Sequence, residues 1–463
     1  MTDFNQYQSP FSWRYGSPEM RGIWSENHKR KVWRQIWLIL ARCQLPFGLV
    51  TQAQVDELKA HVDLVDMERA LQIETEIHHD LMAELKVFAE QCPSAGGIIH
   101  LGATSMDIED NADALRIRQA LKRILDSLDQ LLLAFADKIE QTANLPAMAF
   151  THIQPAEPTT LGYRFASYAQ DLLEDRQVLA NALQGVRGKG FKGAVGTAAS
   201  YFDLIGSENY SSFEKVLSQE LDLPFFEIST QTYPRKQDYL VISALAGLGA
   251  SLYKFAFDLR LLQTPPIGEL SEPFAKKQVG SSAMPFKRNP INAEKIDSLA
   301  RALSVMPQTA WHNAGHTLLE RTLDDSANRR TLLPESFLIS DELLRTAIKI
   351  TKDLNINVSA IQRNLDVYGP FAATERVMMA AVRHGADRQQ FHEILRGHAM
   401  TAWEEVQAGR SNPLIELLKN DPEITKIFGN ESIDDLLKIN SYTGIASQRA
   451  IAISHLIRSK LSI

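Results

Sequence analysis

Apolar residues recur along most of this chain at the three- and four-residue spacing of helix faces, and no convincing run of alternating positions or short repeat competes with them. The clearest segment is 112–143. There Ile117, Leu121, Ile124, Leu128, Leu131 and Phe135 step by four, three, four, three and four, a heptad seam for packing long helices side by side. At 1.5 Å per residue the segment predicts a helix roughly 45–50 Å long. A second long helix is predicted over 158–186, with Leu161, Phe165, Tyr168, Leu172 and Leu179 on one face. A third, 238–264, is apolar almost all round and carries the small residues Ala244, Gly247, Gly249 and Ala250. A helix apolar all round is buried, and small residues let its neighbours approach closely. One chain has too little interior for so much apolar surface, so these helices are expected to form the core of an oligomer.

Helices are also predicted at 25–45, in two or three pieces within 52–91, at 291–318 and at 331–353. Pro93-Ser94-Ala95-Gly96-Gly97 breaks the pattern before the heptad helix. After about 356 the pattern shortens, punctuated by Asn357-Val358-Ser359 and Gly369-Pro370. The expected architecture is all-α: an N-terminal helical domain (1–104), a central long-helix bundle (105–356) and a smaller C-terminal helical domain (357–463).

Composition narrows the class. The 463 residues carry a formal net charge of −7, which gives no reason to expect nucleic acid or an anionic membrane as partner. Any anionic substrate must be drawn in by local charge. The two cysteines, Cys43 and Cys92, form no metal or disulfide spacing and read as reduced thiols of a cytoplasmic protein. The first sixteen residues contain no apolar signal-like run. The most apolar stretch, about 239–253, falls short of the ~20 residues of a membrane helix. It reads as a buried helix.

Local chemistry concentrates in five places. Gly280-Ser281-Ser282-Ala283-Met284-Pro285-Phe286-Lys287-Arg288-Asn289-Pro290 is bracketed by glycine and prolines, so it is neither helix nor strand. Its cations, hydroxyls and carboxamide suit closure over an anion, and Gly280 permits close backbone approach or hinging. The same composition also describes a solvated loop. Thr151-His152-Ile153-Gln154-Pro155-Ala156 places a histidine on a turn before the second long helix, where a proton can be exchanged. His78-His79-Asp80 lacks metal-ligand spacing, and adjacent helical residues do not share a face, so one of the two histidines at most points into a site. In His100-Leu101-Gly102-Ala103-Thr104-Ser105 the hydroxyls cap the following helix or bind a ligand. In Arg321-Thr322-Leu323-Asp324-Asp325-Ser326-Ala327-Asn328-Arg329-Arg330, three guanidinium groups either cradle a phosphate or pair with Asp324 and Asp325.

The loop at 280–290 resembles the signature loop of the fumarase/aspartase superfamily, whose members cleave C–N or C–O bonds and release fumarate. Further stretches make the chain resemble, within that superfamily, the adenylosuccinate lyase family. They are Arg14 to Met20, His79 to Ala83, Ile98 to Ser105, Thr151 to Ala156, Lys192 to Thr197, Gln231 to Lys236 and the arginine cluster, with Tyr442-Thr443-Gly444 the clearest match near the C-terminus. The arginine cluster discriminates, because fumarases and argininosuccinate lyases hold no nucleotide phosphate.

The resemblance implies roles. Ser281 would be the general base at the succinyl β-carbon. His152 would be the general acid at the departing nitrogen, its imidazole held by Glu294. Lys287 and Asn289 would bind the succinyl carboxylates, with Thr104, Ser105 and Thr151 positioning that group. His79 and Asp80 would lie by the phosphate and ribose. Arg14, Tyr15, Arg321, Ser326 and Arg330 would hold the nucleotide, and Gln231 would face the succinyl or base portion. It implies as substrates adenylosuccinate, giving AMP, and the succinyl-aminoimidazole-carboxamide ribotide (SAICAR), giving AICAR. It implies a homotetramer with active sites shared between subunits, and no metal or organic cofactor. Two departures stand out: Phe286, where relatives often carry Tyr or His, and Lys295, where animal-type members carry arginine. Another fumarate-releasing lyase, or a non-catalytic helical scaffold, are the competing readings. A scaffold has no need of Ser281, His152, Lys287 and Glu294 together.

Overall fold

The computed structural model describes residues 5–275, 277–429 and 433–461. The chain is helical nearly throughout. Short helices α1 (Pro18–Ile23), α2 (Glu26–Gln44), α3 (Gln52–His61), α4 (Met67–Ile77) and α5 (Asp80–Gln91) precede the heptad helix α6 (Ser105–Thr142). Strands β1 (Pro146–Thr151) and β2 (Gln154–Thr160) lead into α7 (Leu161–Gly185), α8 (Ala199–Ile205), α9 (Ser207–Glu220) and α10 (Lys236–Leu262). After β3 (Leu270–Ser271) come α11 (Ile291–Ser304), α12 (Met306–Gly315), α13 (Asp324–Lys352), β4 (Asn355–Ile356) and α14 (Val358–Arg383). The chain ends with α15 (Arg388–Gln407), α16 (Leu414–Asn420), α17 (Pro422–Phe428) and α18 (Ala446–Lys460).

All six residues of the predicted heptad seam are fully buried. Helix α6 is longer than its seam, 38 residues or about 57 Å, because Asp107, Ile108 and Ala112 extend its buried face toward the N-terminus. Helix α10 has the length and hydropathy of a membrane span, but half of its most apolar window is buried within the protein. Leu240, Phe257 and Leu261 are its exposed large apolar residues. Cys43 and Cys92 are both buried free thiols.

Two compact units interleave along the sequence. One comprises 1–128, 175–250 and 299–345; the other comprises 129–174, 251–298 and 346–463. In the first, buried charges replace part of the oil. Arg235 pairs with Asp110 and Asp325, Arg329 with Asp238 and Asp113, and Arg34 with Glu84. In the second, Phe135 packs between Phe165, Tyr168 and Phe255, and Arg164 pairs with the buried Glu269.

Four expectations need correction. The stretch around His152 is an antiparallel hairpin, β1 with β2, as well as a turn. Its prolines at 146, 155 and 158 are tolerated because a two-stranded sheet consists only of edges. Gly369-Pro370 does not end a helix. It lies inside the 26-residue α14, where Gly369 gives the proline room and packs against Ile439. The arginine cluster is largely the first two turns of α13, which starts at Asp324 and carries Pro334 within it. His78 and His79 are not neighbours on one helix. His78 closes α4 in the left-handed region and His79 caps the start of α5.

Candidate active site

In the first unit, α6, α13 and the start of α5 meet around a cavity of about 100 Å³. Asp80, Arg321, Ser326 and Arg330, four of the residues expected at the nucleotide, line it together. Arg330 Nη2 lies 3.2 Å from Asp80 Oδ2, and Arg321 donates to Asp325 at 2.8 Å. The pairing reading holds for Arg321 with Asp325, while all three arginines line the cavity. Arg329 is buried, donating to Asp238 and to the Tyr233 hydroxyl, each at 2.8 Å, and serves the fold. Arg321 and Arg330 face the cavity. Ser326 lies in the first turn of α13, at the positive end of the helix dipole, which favours anions.

His79 ties this region to α6. Its Nδ1 accepts the Met82 N–H at 3.5 Å as a helix cap, which leaves Nε2 as the protonated nitrogen toward Ser105 Oγ at 3.4 Å. Thr104 precedes α6 and donates its N–H to Asp107 at 3.0 Å, so a carboxylate rather than either hydroxyl caps that turn. Asp107 is fully buried against Lys189 and also accepts from Lys192 N and Gly193 N at 3.2 Å. The Thr104-Ser105 turn is thus anchored to the 189–193 loop. Gln231 donates its N–H to the Glu320 carbonyl at 3.2 Å, next to the arginine cluster. Arg14 lies over the rings of Trp13 and Tyr15, 5.6 and 5.9 Å from their centroids.

The second unit carries the residues expected to do the chemistry. His152 and Ile153 form the two-residue turn of the hairpin, both with positive φ (52° and 62°), as a type I′ turn requires. Thr151 pairs with Gln154 beneath them, and all four side chains are exposed. The loop 280–290 contains neither helix nor strand. Gly280 has no Cβ because one would lie 2.0 Å from the Lys287 carbonyl. Its smallness lets the loop close on itself, and Asn289 Nδ2 donates to the Gly280 carbonyl at 3.2 Å. Ser281 Oγ accepts from Met284 N at 3.0 Å and Ala283 N at 3.3 Å. Lys287 is exposed, and Glu294 projects from the first turn of α11 into solvent. Among the described residues, no hydrogen bond joins His152 to Glu294 or Ser281 to Lys287. Nor is there any cluster of three His, Cys, Asp or Glu residues suited to a metal.

Sequence reasoning missed Glu109, Lys29 and Arg116 of the cavity. Glu109 had a usable signal: it lies one helical turn beyond Ser105 and shares its face.

Comparison with known proteins settles the family. The family described as "Lyase" matches residues 14–304, and that described as "Adenylosuccinate lyase C-terminus" matches 370–450. The chain is 38% identical to the adenylosuccinate lyase of Saccharomyces cerevisiae over 97% of its length and 94% of that protein's. It is 37% identical to that of Archaeoglobus fulgidus over 95% and 96%. The chain belongs to the adenylosuccinate lyase family. This membership makes it a lyase and extends the resemblance through the C-terminal region, where Tyr442 donates to Glu375 at 3.1 Å. The fold is shared beyond the adenylosuccinate lyases. The muconate lactonizing enzyme of Pseudomonas putida superposes with a TM-score of 0.85 at 24% identity, covering 97% of this chain and all of that one. A fumarate lyase from Mesorhizobium sp. BNC1 gives 0.84 at 24%, covering 97% and 99%.

Proposed function

We propose that the chain cleaves adenylosuccinate to AMP and fumarate, and SAICAR to AICAR and fumarate. The observation that carries the substrate reading is the cavity where Arg321, Ser326 and Arg330, at and before the start of α13, meet Asp80 at the start of α5.

Ser281 takes a proton from the succinyl carbon next to a carboxylate, and the electron pair moves onto that carboxylate. That pair then returns to form the C=C bond of fumarate as the C–N bond breaks, the C–N electrons pass to nitrogen, and His152 supplies the proton there, with Glu294 orienting the imidazole. Lys287 and Asn289 hold the succinyl carboxylates as the second negative charge develops. A preorganised donor at such a charge is worth about 3–4 kcal/mol, against about 10²–10⁴-fold for one acid or base. Thr104, Ser105 and Thr151 position the succinyl group. Arg14, Tyr15, His79 and Gln231 complete the nucleotide end. Side chains alone can perform every step, so the proposal calls for no cofactor.

The exposure of His152, Lys287 and Glu294 supports a site completed by other copies of the chain, and the exposed apolar residues of α10 support a tetramer built on its long helices. We place this tetramer in the cytoplasm and retain the division at 104 and 356 as its functional segments. Fumarate release from adenylosuccinate and from argininosuccinate tests the reading. Release from the first alone is expected; release from argininosuccinate alone would contradict the phosphate site.

A further inference from the structure

The cavity that holds Arg321, Ser326 and Arg330 has an acidic wall. Asp80, Glu109 and Asp113 supply it, the last two from one face of α6. Two of these carboxylates are taken. Asp80 receives Arg330 at 3.2 Å, and Asp113 receives Arg329 at 3.1 Å and Arg116 at 3.3 Å. Glu109 forms no ion pair or hydrogen bond among the described residues. Lys29 opposes the acidic wall, but it is bonded to Glu26 at 2.7 Å and lies over the Trp33 ring. Its carboxyl opens onto the cavity with no partner among those residues, which leaves it available to a ligand.

We infer that Glu109 contacts substrate, its carboxyl hydrogen-bonding the ribose hydroxyls of the nucleotide whose phosphate is held by Arg321, Ser326 and Arg330. The inference rests on the proposed function and adds to it the group that recognises the sugar. Three observations carry it. Glu109 stands one turn beyond Ser105 on the same face of α6 and beside Asp80, so it lies between the groups assigned to the succinyl end and those assigned to the phosphate. A carboxyl group accepts from ribose hydroxyls in either protonation state, as acidic residues do in dinucleotide sites, and it has no donor to spare for a phosphate once ionised. Phosphate and ribose are directly bonded, so a pocket that seats one brings the other to its wall.

Electrostatics agrees. Burial, then the charges of Asp80, Asp113 and Asp110, push the Glu109 carboxyl up to about 8, with Lys29 opposing. Near neutral pH the group therefore retains its proton, and a neutral carboxyl both donates to and accepts from a diol without repelling the phosphate beside it. Arg321 and Arg330 line the same cavity.

The test is steady-state kinetics with adenylosuccinate and its 2′-deoxy and 3′-deoxy analogues, for the wild type, Glu109→Gln and Glu109→Ala. In the wild type, at least one analogue is expected to raise KM about tenfold, the upper end of the worth of one neutral hydrogen bond. Glu109→Ala is expected to raise KM for adenylosuccinate about tenfold, leave kcat within about twofold, and level the ribose and deoxyribose substrates. The isosteric Glu109→Gln guards against misfolding and is expected to recover part of the discrimination. Wild-type turnover of adenylosuccinate with unchanged KM and unchanged discrimination in both variants overturns the assignment and leaves the reaction standing. Absence of wild-type turnover overturns both.

Discussion

Arg330 and Asp80 stand 250 residues apart in the chain and meet at 3.2 Å, Nη2 to Oδ2. The contact joins the second turn of α13 to the first residue of α5, and so fixes two walls of the cavity with one ion pair. Half of Arg330 remains exposed, which leaves guanidinium N–H groups for a phosphate. Arg330→Ala is expected to raise KM for adenylosuccinate about 10- to 100-fold with kcat little changed, the loss of a charge-assisted bond of about 1.5–3 kcal/mol. Arg330→Lys keeps the charge but loses the fork and should recover only part. Steady-state kinetics decides it; an unchanged KM in Arg330→Ala would remove this residue from the site.

The hairpin tip makes a stability prediction. Ile153 is β-branched, 69% exposed and held at φ 62°, a backbone region that costs an L-residue about 1–2 kcal/mol. Asparagine visits that region readily. Ile153→Asn should therefore raise stability by about 1 kcal/mol, read from the urea midpoint at unchanged m-value. A lower midpoint would mean that the side chain is worth more than its exposure indicates.

Much of this was legible beforehand. The seam from Ile117 to Phe135 specified the long helix because its period is local and repeats over six positions. The loop at 280–290 announced itself through glycine and proline. The hairpin did not, because Pro155 and Pro158 read as breakers and His152-Ile153 lacks the usual Asn-Gly signal for a two-residue turn. Gly280 was read as permitting close backbone approach or hinging, and the group that approaches it is the Lys287 carbonyl of its own loop. The buried pairs, Arg235 with Asp110 and Lys189 with Asp107, join residues 125 and 82 positions apart, and no local pattern encodes such a partner.

That last pair anchors the start of α6. Both side chains are fully buried, so Lys189→Met strands the Asp107 carboxylate and is expected to cost about 3–5 kcal/mol. Adding Asp107→Asn should restore part of the loss. Denaturant titration of both variants checks this, and a cost below about 1 kcal/mol for Lys189→Met would contradict the account of the anchor.

His100 gives the fold a pH dependence. Its Nδ1 accepts the Trp37 indole N–H at 3.0 Å, a bond that needs the ring lone pair. Burial, with a smaller contribution from the charge of His79, pushes its pKa down from 6.5 to about 4. Between those values the unfolded chain binds the proton and the folded chain does not. The contribution is therefore fully present above about pH 6.5 and falls as pH drops toward 4. Between pH 7 and 5 the wild type should lose on the order of 1–2 kcal/mol more than His100→Gln, measured by urea unfolding. Parallel losses in both proteins would assign the acid sensitivity elsewhere.

The central claim is that Ser281 and His152 move the protons of a fumarate-releasing elimination. The most direct test is fumarate release from adenylosuccinate by the wild type, Ser281→Ala and His152→Ala, with helicity and assembly state checked for each. The account predicts release by the wild type and a loss of at least about 10²-fold in kcat for each variant, with the folds intact. Wild-type rates in either variant would strip that residue of its role. No release by a folded, assembled wild type would contradict the account as a whole.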